Sequence, residues 1–149
     1  MKILIVDDRI ENLEAAKKQL SEHEVFVAQT LQEARSILVD FNVINQIGID
    51  VVMTDVMMPA EEHGMGKKGE KYIGELVPVG LVVALLALGC NVSRVCIVSD
   101  TNHHDHPVAW ALDSITVLNH KKVGIECYCG ARCPKTEGIK DWGMVFRGE

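Results

Sequence analysis

The chain lacks any apolar run long enough to cross a membrane. Its longest, Leu76 to Cys90, is interrupted by Pro78, Gly80 and Gly89 and falls short of the roughly 20 residues that a spanning helix needs, so it reads as a buried core helix with no membrane partner. A secretory leader is not expected either. Met1-Lys2 passes directly into a four-residue apolar run, too short for the apolar stretch of a signal peptide. The five cysteines are an odd number, and with no leader their thiols are expected to be mostly free in a reducing cytoplasm. An excess of positive charge is missing: the net charge is -6, which argues against direct contact with nucleic acid, whose phosphates demand clustered Lys and Arg. There is no internal repeat, low-complexity tract or linker, and 149 residues fit one domain over 1–149.

What is there alternates. Ile3-Leu4-Ile5-Val6 is a continuous apolar run of the kind found in a strand buried on both faces, and it stops abruptly at Asp7-Asp8. Ile10, Leu13, Ala16, Lys17 and Leu20 then follow at helical spacing. Val25-Phe26-Val27 is a second strand. Thr30 with Glu33 has capping-box form and opens a helix carrying Ala34, Ile37, Leu38 and Phe41. Val51-Val52-Met53 is a third strand, ending in Thr54-Asp55. The stretch from Ala60 to Glu70, with Gly64, Gly66 and Gly69, reads as a loop. Lys71 to Leu88 reads as a mostly apolar helix, entered or kinked around Pro78 to Gly80, with Gly89 as its cap. Val95 to Val98 is a fourth strand, ending in Ser99-Asp100. His106 to Ser114 reads as a short helix with Pro107 in its first turn. Ile115 to Leu118 and Val123 to Cys129 both fit strands, and Asp141 to Arg147 fits a short closing helix.

Strands alternating with helices imply an α/β fold with a parallel sheet, whose chemistry gathers at the carboxyl ends of the strands. Asp7-Asp8, Asp55 and Ser99 all fall at such ends. Singly, each has a plain reading: a helix cap and first-turn acid, a turn residue before Pro59, a capping hydroxyl. Together they suggest carboxylates gathered around a hard cation. Mg²⁺ commonly takes one or two carboxylates plus a phosphate, and a carboxylate beside it can act as a nucleophile toward phosphorus.

Val6-Asp7-Asp8 after an apolar strand, followed by Thr54-Asp55-Val56-Met57-Met58-Pro59, resembles the receiver domain of two-component response regulators. The resemblance is clear from Met1 to Pro59 and extends less sharply through Lys71 to Ser99. It implies a doubly wound, five-stranded parallel sheet with helices on both faces, a flavodoxin-like receiver fold, with an atypical C-terminal third. It implies Asp55 as phosphoacceptor and metal ligand, with Asp7, Asp8 and the Met57 backbone carbonyl completing an Mg²⁺ site. Ser99 would contact the phosphoryl group and act as the switch. The implied partners are a histidine kinase or phosphotransfer protein upstream and an unspecified protein downstream. Such a chain catalyses its own phosphorylation rather than turning over a substrate.

The family also places a Lys-Pro pair at the end of the fifth strand. Here Cys133-Pro134-Lys135 reverses that order, while Lys121 and Lys122 lie at about the family's spacing after Ser99. A fifth strand over Ile125 to Cys129 would end at Gly130-Ala131-Arg132 instead and make Tyr128 the switch aromatic. The unassigned lysine keeps open a pseudo-receiver, an interaction module not switched by phosphate. A phosphohydrolase with an aspartate nucleophile fits less well, because Met57 stands where haloacid-dehalogenase-type enzymes carry a second Asp.

Three further groups have plainer readings. His103, His104 and His106 read as solvated loop residues near the pocket. Cys127, Cys129 and Cys133 have a Cys-x-Cys spacing that is not standard for zinc, and read as small apolar strand residues. Trp110 and Trp142 are expected in or beside the core. Leu81 to Leu88, apolar nearly all round, is expected to pack on the sheet, with a homodimer or partner surface as the alternative.

Overall fold

The computed structural model describes residues 1–41, 48–62, 65–102, 104, 106–118, 125–130 and 133–148. Five strands form one parallel sheet: β1 Lys2–Val6, β2 Glu24–Ala28, β3 Val51–Thr54, β4 Arg94–Ser99 and β5 Ile125–Cys129, in the order β2-β1-β3-β4-β5. This is the flavodoxin-like arrangement, in which the direction of winding reverses between β1 and β3. Strand periodicity divides the core. Leu4, Val6, Val52 and Ile97 face Ala34, Val83 and Leu112, from helices α2 Leu31–Arg35, α3 Val79–Gly89 and α4 Pro107–Leu118. Ile3, Ile5, Met53 and Val98 face Leu13, Ala16, Trp142 and Val145, from α1 Ile10–Gln19 and α5 Trp142–Arg147. Both faces are covered, so β1 is apolar at successive positions from Ile3 to Val6 and β3 from Val51 to Met53, rather than at every second one.

The capping box at Thr30 forms with an offset. Thr30 Oγ1 accepts the Glu33 N–H at 3.1 Å, while Glu33 Oε2 accepts from the Gln29 N–H at 2.7 Å, one residue earlier than the usual pattern. After Arg35 the helix widens into a π-helical stretch, Ser36–Phe41.

The expected helix from Lys71 begins only at Val79. Gly74 turns the chain with a left-handed φ of 83°, and Pro78 cannot supply a helical N–H. Between them Leu76–Val77 pairs antiparallel with Met58–Pro59, which pins the two ends of the long intervening loop together. α3 keeps Val83, Ala84 and Ala87 against the sheet and exposes Val82 and Leu85. Ile115 to Leu118 is helical, not a strand: a short apolar run has the same composition in both, and here it continues α4. The second reading of the fifth strand, Ile125 to Cys129, is the observed one. Trp142 is fully buried as expected, whereas Trp110 is 68 % exposed, because it points away from the sheet on α4 while Ala109 and Leu112 point in.

The C-terminal third departs from a plain alternation. After β5 a small hairpin pairs Lys135–Thr136 with Ile139–Lys140. Its turn residues Glu137 and Gly138 both have positive φ, 54° and 80°, as in a type I′ turn. Asp141 then opens α5, its Oδ1 accepting the Met144 N–H at 2.9 Å, and Gly148 ends it in a left-handed conformation. No helix among the described residues is long and apolar enough to span a membrane.

Candidate functional site

Val6 and Thr54 are register partners at the ends of β1 and β3, so Asp7 and Asp55 leave adjacent strands at the same level. The ladder carries on through the first residue beyond: the Asp55 N–H donates to the Val6 carbonyl at 2.7 Å, and the Asp7 N–H to the Ala28 carbonyl at 3.1 Å. Asp7 is wholly buried, Asp55 nearly so and Asp8 half-buried. Their carboxylate oxygens lie within 4.8 Å of one another, at the switch point of the sheet.

A buried lysine from the far end of the chain joins them. Lys140 Nζ lies 2.6 Å from Asp7 Oδ2 and 2.7 Å from Asp55 Oδ2. The remaining oxygens are also engaged. Asp55 Oδ1 accepts the Val56 N–H at 2.6 Å, and Asp7 Oδ1 accepts from the Arg9 N–H and from Asn12 Nδ2, each at 2.9 Å.

Burial raises the Asp55 carboxyl to about 6; the Lys140 ammonium opposes this and the Asp7 carboxylate adds to it. Asp8 is also raised, by burial and then by Asp7. Burial works against the Lys140 ammonium, but Asp55 and Asp7 outweigh it and hold the group protonated above its usual range. Three carboxylates face one ammonium, leaving two negative charges, which one divalent cation would balance. All three acids are hard oxygen donors converging from two strand ends, so the residues present fit an ion of the Mg²⁺ or Ca²⁺ class.

Ser99 is the last residue of β4, at the same edge of the sheet, and is buried. Its hydroxyl donates to Thr101 Oγ1 at 3.1 Å and accepts the Thr101 N–H at 3.2 Å. Met57 is half-buried in the turn between Asp55 and the short strand Met58–Pro59. Lys121 and Lys122 lie outside the described residues. Lys135 pairs instead with Asp100 at 3.0 Å; burial raises the Asp100 carboxyl, and the Lys135 hydrogen bond and charge more than reverse this, so it stays below its usual range.

Two members of the site were not singled out from the sequence. Lys140 was hidden because it follows β5 by a whole hairpin, although Glu137-Gly138 before it is a turn signal. Asn12 was hidden as one polar residue among the apolar positions of α1, yet it is almost wholly buried. Among the described residues the His and Cys groups do not form a second centre. His103 lies outside the described residues, and His106 Nδ1 accepts the Val108 N–H at 3.2 Å at the start of α4. Cys127 and Cys129 belong to the core on one face of the sheet and Cys133 to the core on the other. Among the described residues only Asp7, Asp8 and Asp55 group as metal ligands.

No protein-family model and no curated protein matches the chain. Solved structures do. The receiver domain of the hybrid histidine kinase CckA superposes with a TM-score of 0.56 at 17 % identity, covering 99 % of this chain and 95 % of that one. A response regulator receiver protein from Pseudomonas putida gives 0.51 at 17 % identity, over 98 % and 92 %. A receiver domain protein from Clostridium thermocellum gives 0.50 at 17 % identity, over 97 % and 88 %. Strand order, helix placement and these superpositions agree that the chain has the fold of a response-regulator receiver domain.

Proposed function

We propose that this chain is a phosphoacceptor receiver of a two-component phosphorelay. A histidine kinase or phosphotransfer protein donates a phosphoryl group to Asp55, and the phosphorylated domain signals by protein contacts. The observation that carries this reading is the convergence of Asp7, Asp8 and Asp55 on a single buried lysine at the carboxyl edge of the sheet.

In the transfer, an Asp55 carboxylate oxygen attacks phosphorus. The bond from phosphorus to the donor's imidazole nitrogen breaks, and the imidazole leaves with the bond's electron pair and is then protonated. Water later attacks the aspartyl phosphate, releasing inorganic phosphate and restoring the carboxylate. Asp8, Asp55 and the Met57 carbonyl would hold Mg²⁺, with Asp7 contributing directly or through water. The ion would supply charge neutralisation in a transition state governed by positioning and electrostatics. Lys140 Nζ, already against Asp55 Oδ2, is placed to accompany an oxygen of the incoming group. Ser99 is suited to switching: its hydroxyl can leave Thr101 for a phosphoryl oxygen and so couple the site to the surface of β4, α4 and β5. A lysine in the site also weakens the main reason for reading the fold as a pseudo-receiver.

The test is intact mass after incubation with Mg²⁺ and acetyl phosphate or phosphoramidate, for the native chain and Asp55→Asn. The expected result is one added phosphoryl group on the native chain alone, abolished by chelating Mg²⁺. No adduct, with no Mg²⁺-dependent response to beryllofluoride, overturns the reading in favour of a phosphorylation-independent interaction module.

A further inference from the structure

β5 ends at Cys129, yet the lysine of the site arrives one hairpin later, on a strand of two residues. So short a ribbon is not stable alone, and something else must fix where Lys140 sits. The fixing contacts come from one side of α1. Asn12 Nδ2 donates to both Asp7 oxygens, at 2.9 and 3.0 Å, while Asn12 Oδ1 accepts the Lys140 main-chain N–H at 3.1 Å. A carboxylate only accepts and a peptide N–H only donates, so the carboxamide has one orientation that satisfies both. The Asn12 main-chain carbonyl accepts the Trp142 indole N–H at 2.9 Å. Two helical turns along, Gln19 Oε1 accepts the Trp142 main-chain N–H at 2.8 Å and that of Gly143 at 3.3 Å.

The geometry points to Asn12 as the positioning residue of the site: it holds the main chain of Lys140 in the register that lets the ammonium meet Asp7 and Asp55. Asn12 is 1 % exposed and its carboxamide bridges the first acid of the site to the backbone of its only buried lysine among the described residues. An apolar side chain there would leave the Lys140 N–H without its partner in the interior and take one donor from each Asp7 oxygen, and the hairpin would be free to shift. A carboxylate there would face Asp7. The consequence for rate rests on the reading of Asp55 as phosphoacceptor; the placement of Lys140 does not.

The test uses the full chain as Asn12→Leu, Asn12→Ala, Lys140→Met and the double variant Asn12→Leu/Lys140→Met, with circular dichroism as the check on folding. The first readout needs no phosphorylation: acetylation of Lys140 by an amine-reactive ester, followed by peptide mass. Lys140 is protected in the native chain, and its labelling is expected to rise by about tenfold in Asn12→Leu or Asn12→Ala, the factor for losing one buried hydrogen bond. The second is the rate of phosphorylation by acetyl phosphate, expected to fall by about tenfold in Asn12→Leu and to show no further fall from Asn12→Leu in the Lys140→Met background. Unchanged labelling in a folded variant overturns the proposal, as does an equal loss of rate with and without Lys140. If the native chain takes no phosphoryl group while Asn12→Leu still unmasks Lys140, the phosphoacceptor reading fails and the positioning role stands. Should both Asn12 variants unfold, hydrogen exchange on the native chain decides: a Lys140 amide as slow as those of β1 upholds the bond to Asn12, and one as fast as an exposed loop overturns it.

Discussion

Gly80, in the first turn of α3, packs directly on the main chain of Asp55: a Cβ added at Gly80 would stand 1.8 Å from the Asp55 carbonyl oxygen. The Gly80 N–H also donates to the Val56 carbonyl at 3.0 Å, so helix and strand end are locked together. The neighbouring atoms are backbone and cannot swing aside. Gly80→Ala is therefore expected to cost about 1–3 kcal/mol of stability by overpacking and to slow phosphorylation of Asp55 by displacing it. Urea denaturation and intact-mass kinetics measure both. A variant as stable and as fast as the native chain would show that this contact tolerates a methyl group.

Lys140 balances two buried carboxylates. Removing the ammonium in Lys140→Met leaves the fully buried Asp7 without its cationic partner, and breaking such a pair typically costs about 3–5 kcal/mol in the metal-free protein. The same change makes the site more negative, so Mg²⁺ should bind more tightly and restore part of the lost stability, while phosphorylation slows. Urea melts with and without Mg²⁺ test this. Weaker Mg²⁺ binding in Lys140→Met would mean that the lysine helps rather than opposes the cation.

Asp55 is a costly carboxylate in the metal-free protein. Its folded value of about 6 lies above the ordinary 3.8, so the folded state holds its proton more tightly than the unfolded state. The stability gained from that proton is complete below the unfolded value and is lost as pH rises through about 6, a difference of about 3 kcal/mol at neutral pH. Asp55→Asn is accordingly expected to be more stable than the native chain at about pH 7, with the gap closing toward about pH 4. Added Mg²⁺ should raise the melting temperature of the native chain and leave Asp55→Asn nearly unchanged. Equal stability of the two at every pH would contradict the strain assigned to Asp55.

Arg94 ties β4 to β5 and to the end of α5. Its guanidinium meets Glu126 at 2.6 Å and donates to the Val145 carbonyl at 3.1 Å, and the hydrogen bond from Arg94 holds the Glu126 carboxyl below its ordinary 4.5. A lowered carboxyl contributes stability above its unfolded value and loses it as pH falls through the folded one. The destabilisation caused by Glu126→Gln should thus be greatest near about pH 7 and shrink below about pH 4. Thermal melts of both proteins across this range suffice, and a difference independent of pH would assign the effect to packing instead.

Short-range pattern determined much of this protein. The apolar runs at Ile3 to Val6 and Val51 to Met53 had to be buried on both sides, and a strand that is apolar throughout already implies a parallel sheet with two helical layers. The acids that follow those runs had to lie at strand ends, so Asp7, Asp8 and Asp55 were legible together with Ser99. Tertiary structure alone decided the rest. Whether Ile115 to Leu118 becomes helix or strand depends on which neighbours cover it, because four apolar residues carry no period of their own. Whether Trp110 is buried depends on which side of α4 meets the sheet. The lysine of the site was decided at the longest range of all: Lys140 meets Asp7 because Asn12 and Gln19 on α1 seat a hairpin from the opposite end of the chain. A partnership between residues so distant leaves no mark in local spacing; it exists only once the sheet has brought the two ends of the chain to one edge.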